Sequence, residues 1–492
     1  MDNFTLKYLF IKHKTKTLFD VNFSEENDNR TEPLTTIVIG ENGSGKSHLL
    51  TVISEIFRGL NNLKRKKESK FRYDYYRLSY QLNNSTFDLE IFKNQVKFKQ
   101  DKVPIDLSNV LLPNNILAVS FMINDKFTFS SPDQNNDDAY SYIGVRRTSN
   151  ATWTTTLVKK ITNSLILNLH DHEFSRKVLE ILRFLNFEPE IRLNFVPVNK
   201  TLFLRKTSNN YLNAKVNALK KKNYFRSDAI SKYSQESISN LVKFINTQVK
   251  LNKNDTDVSS NMIINIDLKG DSNWTDQEEK FTYLNMLVEL QLLKSPELLL
   301  LKFDEFDFEY ASSGEKHLLF TLINLAAEIR QSSIIFIDEP ELSLHPNWQM
   351  KYISILKRLF NDYASCHFLI ATHSHYLISD LKQDSSSIVH ITIENLEKGL
   401  IREAKLLDMD TYAWSAENIL YNIFGVRTTR NYYFEQDLRK LISFIETESK
   451  DIESIEKLLK KLESLQIDAA DPLKTLITEG KEYVENVSAN KR

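Results

Sequence analysis

The sequence predicts an α/β protein: a mostly parallel sheet with an antiparallel β subdomain, a helical insertion and a C-terminal helical segment. Three observations predict it. Short apolar runs at 35–40 (TTIVIG), 116–121 (ILAVSF), 333–340 (SIIFIDEP) and 366–374 (CHFLIATHS) have the length and near-continuous apolar character of strands buried on both faces. Helix-spaced segments accompany them at 48–57 (HLLTVISEIF), 317–331 (HLLFTLINLAAEIRQ) and 348–360 (WQMKYISILKRLF). Aromatic and β-branched segments at 4–12, 18–23 and 71–99 suit antiparallel strands.

The elements follow in chain order. FTLKYLFIK (4–12) and LFDVNF (18–23) read as strands, and TTIVIG then runs into GENGSGKS and the helix at 48–57. NNLKRKKESK (61–70) is a charged loop, 71–99 an antiparallel meander, ILAVSF a buried strand and SSPDQNNDDAY (130–140) a polar loop. From about 155 to 295 the pattern is mostly helical, LLLLKFDEFDFEY (298–310) reads as a strand pair, and the last sixty residues are charged and helical. The expected division is an N-terminal lobe (1–125), a mainly helical insertion (126–297), a C-terminal lobe (298–430) and a helical segment (431–492).

Composition narrows the function classes. The 492 residues are 41% hydrophobic and 26% charged, which excludes whole-chain disorder. Lys+Arg number 64 and Asp+Glu 65, so any nucleic-acid contact has to be a local patch. Lys64-Arg65-Lys66-Lys67 and Lys220-Lys221-Lys222 are such patches, the second beside Tyr224 and Phe225, which could stack on bases. A single cysteine, Cys366, excludes an intramolecular disulfide framework. No apolar run approaches the roughly 18 residues of a membrane span. MDNFTLKYLF has no long apolar core, so the expectation is a cytoplasmic protein with no membrane partner.

Glycine is used sparingly, 10 times in all, yet Gly40, Gly43 and Gly45 fall together. Gly40 to Ser47 fits G-x-x-x-x-G-K-[ST], between a strand and a helix. Glycines let backbone N–H groups wrap anionic oxygens, and the helix N-terminus adds its dipole. The expected nucleotide-binding set is Gly40, Glu41, Asn42, Gly43, Ser44, Gly45, Lys46, Ser47 and the adjoining His48. Lys46 would meet the β- and γ-phosphates of ATP, and Ser47 would hold Mg²⁺.

Ile334 to Ile337 are apolar and lead into Asp338 and Glu339. Acids at the carboxyl end of a buried strand face the ligand crevice of such a sheet. Asp338 is the expected metal residue, and Glu339 is placed to orient and deprotonate an attacking water.

These residues carry a resemblance. DEPELSLHP (338–346) resembles the segment of ABC-type ATPases that holds the Walker B acids and the D-loop. Ala311-Ser312-Ser313-Gly314-Glu315 resembles their signature motif, and Ala371-Thr372-His373-Ser374 resembles the switch-histidine segment. The resemblance covers roughly 1–125 and 300–380 and implies a RecA-like ATPase head. It further implies a homodimer or higher oligomer closed by an ATP sandwich. Ser312, Gly314 and Glu315 would then meet the nucleotide of the other protomer, and His373 would join Glu339 and Lys46 as a catalytic residue.

Three positions depart from the family. Ser313 replaces the first signature glycine, and His345 stands where many transporter ATPases carry an aspartate. No Q-loop glutamine follows ILAVSF; Asn124 or Asp125 is the stand-in. The E-P-E-L-S-L-H-P-x-W-Q form resembles the SMC-like and OLD-like branch. With Tyr142-Ile143-Gly144-Val145-Arg146-Arg147 and the segment 422–435, it is similar to anti-phage defence ATPases, of Septu and retrons first and PARIS second. The resemblance implies ATP hydrolysis, probing for infection, and control of a separate effector such as an HNH or toprim nuclease or toxin. The alternatives are an SMC-like DNA-repair ATPase and a transporter subunit. Asp408-Met409-Asp410 reads as surface acids, and His170 and His172 form a pair with no obvious third ligand, so no metal nuclease centre is expected.

Overall fold

The computed structural model describes residues 3–24, 30–122, 124–129, 139–146, 153–222, 233–252, 261–268, 274–302, 305–379, 381–382, 384–396, 399–407, 411–426, 431–447, 449, 451–465 and 473–489. They fall into two compact units, 1–414 and 415–492.

The first unit holds three sheets. An antiparallel six-stranded sheet joins β1 (Thr5–His13), β2 (Lys16–Asn22), β4 (Tyr75–Leu82), β5 (Ser85–Phe92), β6 (Gln95–Gln100) and β7 (Val103–Ile105) in the order β2-β1-β4-β5-β6-β7. The seven-stranded sheet takes β3 (Leu34–Gly40), β8 (Ile116–Ser120), β9 (Tyr140–Gly144), β14 (Ile334–Asp338), β15 (His367–Ala371), β16 (Ser386–Leu396) and β17 (Gly399–Leu407). Its order is β17-β16-β3-β15-β14-β8-β9, parallel except for the last hairpin β16–β17. The third, four-stranded and antiparallel, orders β10 (Glu190–Phe195), β11 (Met262–Asp267), β12 (Glu297–Leu301) and β13 (Glu305–Asp307) as β11-β10-β12-β13.

Helix α1 (Lys46–Lys64) packs between the first two sheets. Phe57 meets Phe4 and Tyr80 edge-on at 5.6 Å and 5.5 Å, and Tyr80 stacks on Phe87 at 5.3 Å. One buried histidine ties the sheets: Leu6 N–H donates to Nδ1 of His367 at 3.1 Å, and Nε2 lies 2.7 Å from the Thr36 hydroxyl. Desolvation keeps His367 well below its ordinary pKa, so it serves as a neutral bridge.

The stretch expected to be mainly helical carries α2 (Trp153–Asn168), α3 (His172–Phe184), α4 (Asn209–Lys222), α5 (Gln235–Asn252) and α6 (Trp274–Glu289), but also β9, β10 and β11. The strands follow a period of two: Ile191, Leu193 and Phe195 of β10 and Met262, Ile264 and Ile266 of β11 are buried. The strand pair read at 298–310 is present as β12 and β13. Helices α7 (Ser313–Glu328) and α8 (Pro346–Leu359) flank β14 in the chain.

In the second unit α9 (Ala416–Asn422) precedes α10 (Tyr432–Glu446), α11 (Ile452–Glu463) and α12 (Leu473–Ala489). The last three close around Leu441, Ile455, Leu459, Leu462 and Ile477. Among the described residues no helix is long and apolar enough to cross a membrane.

Candidate functional site

Register brings the site together. In the adjacent strands β3, β15 and β14, Val38 lies opposite Ala371, and Ala371 opposite Asp338. The phosphate-type loop from Gly40, the turn at His373 and the acid Glu339 therefore leave the same carboxyl edge of the sheet.

The loop is held by backbone geometry. Gly43 and Gly45 have φ of 82° and 104°, the left-handed region that side-chain-bearing residues avoid. A Cβ on Gly40 would collide with the carbonyl of Ile391 on β16. Gly45 caps α1 without a side-chain hydrogen bond, and the first turn of α1 holds no acid. The first-turn amides are thus free of a side-chain cap and suited to an anion.

Lys46 is only 4% exposed. Its Nζ donates to the carbonyls of Gly40 at 2.9 Å and Glu41 at 3.2 Å, and stands 3.2 Å from His373 Nδ1. Burial lowers its pKa, while Glu339, Glu341 and Asp338 pull the other way.

The carboxylates differ in environment. Asp338 is 2% exposed, and its Oδ1 has no hydrogen-bond partner. Burial, reinforced by Glu339, Asp125 and Glu341 and opposed by a hydrogen bond with Ser47, pushes it up to about 7. Glu339 adopts φ 49°, a left-handed turn at the strand end of the kind that collects at functional sites. Its Oε1 lies 3.3 Å from His373 Nε2, and that bond holds its carboxyl below the ordinary range. Glu341, to which sequence reasoning gave no role, accepts the His373 backbone N–H at 2.6 Å and leaves its Oε2 buried without a hydrogen bond.

A buried carboxylate oxygen without a partner, beside a serine hydroxyl and three further acids, fits a hard, oxygen-seeking cation such as Mg²⁺. Asp338 and Ser47 are the residues that could hold it. Among the described residues no group of three His, Cys, Asp or Glu is arranged to hold a metal ion. Asp408, Met409 and Asp410 lie outside the described residues, as do Arg147, Tyr224 and Phe225.

The segment resembling a signature motif forms the start of α7. Ser312 is its N-cap, in a capping box: its Oγ accepts from Glu315 N–H at 3.2 Å, and its own N–H donates to Glu315 Oε2 at 2.8 Å. Lys302 pairs with Glu315 Oε1 at 3.1 Å. Burial opposes ionisation of Glu315, but the bonds from Ser312 and Lys302 outweigh it and hold its carboxyl low. Gly314 approaches the carbonyl of Ser343 and the ring of Trp348. His317 sits wholly buried, its Nδ1 3.0 Å from Leu342 O and its ring stacked on Phe121 at 4.2 Å. The start of α7 is thereby seated on the 341–344 turn. His345 caps α8, accepting from Asn347 N–H at 3.2 Å.

The two stand-ins for the missing glutamine differ in setting. Asp125 has both carboxyl oxygens engaged, Oδ1 by Phe127 N–H at 3.0 Å and by Arg146 at 2.6 Å, and Oδ2 by the Tyr142 hydroxyl. It is a tethered group, while Asn124 is exposed.

Sequence reasoning also missed Phe19 and Arg402. Both come within 3.5 Å of the position a Cβ would take on Gly45, and the Arg402 guanidinium lies 5.8 Å from the Phe19 ring centroid. His48 adjoins them, its ring 5.5 Å from Phe19 and its Nε2 2.6 Å from the Tyr73 hydroxyl. Only the fold gathers these residues from strands far apart in the chain. Of the basic patches, Lys64 bonds Val110 O at 2.6 Å, and Arg65, Lys66 and Lys67 are exposed.

The chain resembles known proteins over parts of its length. It is 24% identical over 186 residues to Septu protein PtuA of Bacillus thuringiensis, covering 35% of this chain and 45% of that protein. It is 23% identical over 128 residues to the Retron Vc95 probable ATPase of Vibrio cholerae serotype O1 biovar El Tor, covering 23% and 24%. The chain spans less than half the length of these curated relatives. Among solved structures, an Smc head bound to the C-winged helix domain of ScpA aligns with TM-score 0.38 and 13% identity, over 82% of this chain and 98% of that one. The SMC head domain from Thermotoga maritima aligns with TM-score 0.35 and 11% identity, over 82% and 99%. Scores of that size leave the fold to be read from the strand order given above. Residues 35–379 match the AAA_21 family, described as "AAA domain, putative AbiEii toxin, Type IV TA system", and the chain belongs to that family.

Proposed function

We propose that the chain binds ATP with Mg²⁺ at the loop Gly40–Ser47 and hydrolyses it, in the manner of an ABC-type head. The observation that supports this best is the meeting of Lys46, His373 and Glu339 at the carboxyl edge of three adjacent strands, with Asp338 buried and partly unbonded beside them. The loop amides and Lys46 bind the phosphates; Gly43 and Gly45 allow the backbone to approach them. Ser47 and Asp338 would hold the cation, which would neutralise negative charge on the phosphates when bound. Glu339 takes a proton from the attacking water, and His373, bonded to it, orients its carboxylate. ADP and phosphate result.

Ser312, Gly314 and Glu315 belong in this reading to a surface that closes over the nucleotide of a second copy, so the active form is a homodimer or higher oligomer. Similarity to the Septu and retron ATPases supports a role in anti-phage defence, with nucleotide state controlling a separate effector protein.

The test is a pair of variants of the full chain. Lys46→Ala is expected to lose ATP binding. Glu339→Gln is expected to bind ATP but turn it over at least ~100-fold more slowly. Binding of ATP by Lys46→Ala at wild-type affinity defeats the loop assignment. Unchanged turnover in Glu339→Gln moves the base elsewhere.

A further inference from the structure

A second set of residues fixes the segment that follows β8. Tyr140, Tyr142 and Gly144 alternate along one face of β9, and Arg146 continues the alternation two residues beyond the strand. The Tyr140 hydroxyl donates to Thr128 O at 2.6 Å, and the Tyr142 hydroxyl to Asp125 Oδ2. Arg146 donates to Phe127 O at 3.0 Å, to Asp125 Oδ1 at 2.6 Å and to Asp125 O. Gly144 makes room for this: a Cβ there would collide with the Tyr142 ring. From α2, Lys160 donates to Gly144 O at 3.0 Å and lies 5.6 Å from the Tyr142 ring centroid, so β9 is itself braced.

The held segment runs on from the strand next to Asp338. It leaves β8 at Ser120, the residue paired with Asp338. Asp125 adds to the burial that raises Asp338, and Lys126 adds to the burial that lowers His48 in the first turn of α1. Phe127 is buried, its ring 6.5 Å from that of Phe336 on β14. Asp125 is 7% exposed, so its charge depends on Arg146 for compensation. Arg146 combines charge and several donors in a rigid fork, the geometry that fixes position as well as energy.

We propose that Arg146 is a positioning residue for hydrolysis: with Tyr142 it locks residues 125–128 against the carboxyl edge beside Asp338, and thereby sets the wall of the site past which the γ-phosphate and attacking water must align. This rests on the ATPase reading above. Loss of the lock displaces a wall of the reaction site, and small misplacements cost rate far more than they cost binding.

The test compares affinity for a fluorescent, non-hydrolysable ATP analogue with single-turnover hydrolysis of ATP, in the full chain. Arg146→Ala is expected to keep analogue affinity within about 3-fold while hydrolysis falls roughly 10- to 100-fold. Tyr142→Phe, which removes only the hydroxyl, is expected to lose rate in the same direction by about 3- to 10-fold. Arg146→Ala combined with Asp125→Asn is expected to be no slower than Arg146→Ala alone, because both belong to one hydrogen-bonded cluster that holds the same segment. Wild-type hydrolysis in Arg146→Ala overturns the inference, as does multiplicative loss in the double variant, or affinity and rate falling in parallel. Should Arg146→Ala fail to fold, unchanged hydrolysis in Tyr142→Phe overturns it. A wild-type protein that binds ATP no better than Lys46→Ala would sink the ATPase reading, and this inference with it; wild-type hydrolysis with no split in the variants sinks this inference alone.

Discussion

The Lys46 ammonium stands 3.2 Å from Nδ1 of His373, and Nε2 of the same ring lies 3.3 Å from Oε1 of Glu339. A lysine only donates, so Nδ1 accepts and Nε2 carries the proton toward Glu339. The chain of three residues fixes the tautomer.

His373→Ala removes the middle link. ATP affinity is expected to stay within about 3-fold of wild type, since the loop amides and Lys46 remain, while kcat falls ~100-fold. Equilibrium binding and steady-state hydrolysis check this. A loss confined to affinity would place His373 in binding alone.

Asp338 predicts a pH dependence of metal-free stability. Its folded-state pKa, about 7, exceeds its ordinary 3.8. The native state therefore retains a proton that the unfolded chain has released, and this group's contribution to stability falls as pH rises across that window. One proton gives a slope of at most ~1.4 kcal/mol per pH unit. In EDTA, the difference in melting temperature between Asp338→Asn and wild type is expected to widen in the variant's favour from pH 5 to pH 8. A difference independent of pH contradicts the assignment.

Gly314→Ala tests the seat of α7. Its Cβ would lie 2.8 Å from Ser343 O and 2.9 Å from Trp348 Cζ3, one a backbone atom and the other part of a rigid ring. Overpacking of this kind costs about 1–3 kcal/mol. Urea unfolding should show that loss, and a variant as stable as wild type would mean the turn yields freely.

The parts legible in the sequence were those whose chemistry is local. The apolar run, glycine loop and helix at 35–57 are contiguous, so residue types alone order β3, the loop and α1. The same holds for Ile334–Asp338, an apolar run that ends in an acid. Strands β10 and β11 were harder, because EIRLNF and MIINID are six-residue alternations set among long helical runs. Arg402, Phe19, Tyr142 and Arg146 were illegible as site residues. Their roles depend on which strands, far apart in the chain, become neighbours, and such packing leaves no trace in a local window.

One consequence follows from the carbonyl of Ile391 over Gly40. The floor beneath the phosphate-type loop comes from a strand made long after the loop itself. At ribosomal speeds of about 5–20 residues per second, the interval between the two is roughly 20–70 s. During synthesis the loop is therefore made long before its support, and the contact forms only once β16 has left the ribosome and docked. A ligand that stabilises the finished protein is a late guest in its biogenesis, and shortening the chain before residue 391 would leave the loop with the glycines it needs and nothing to rest on.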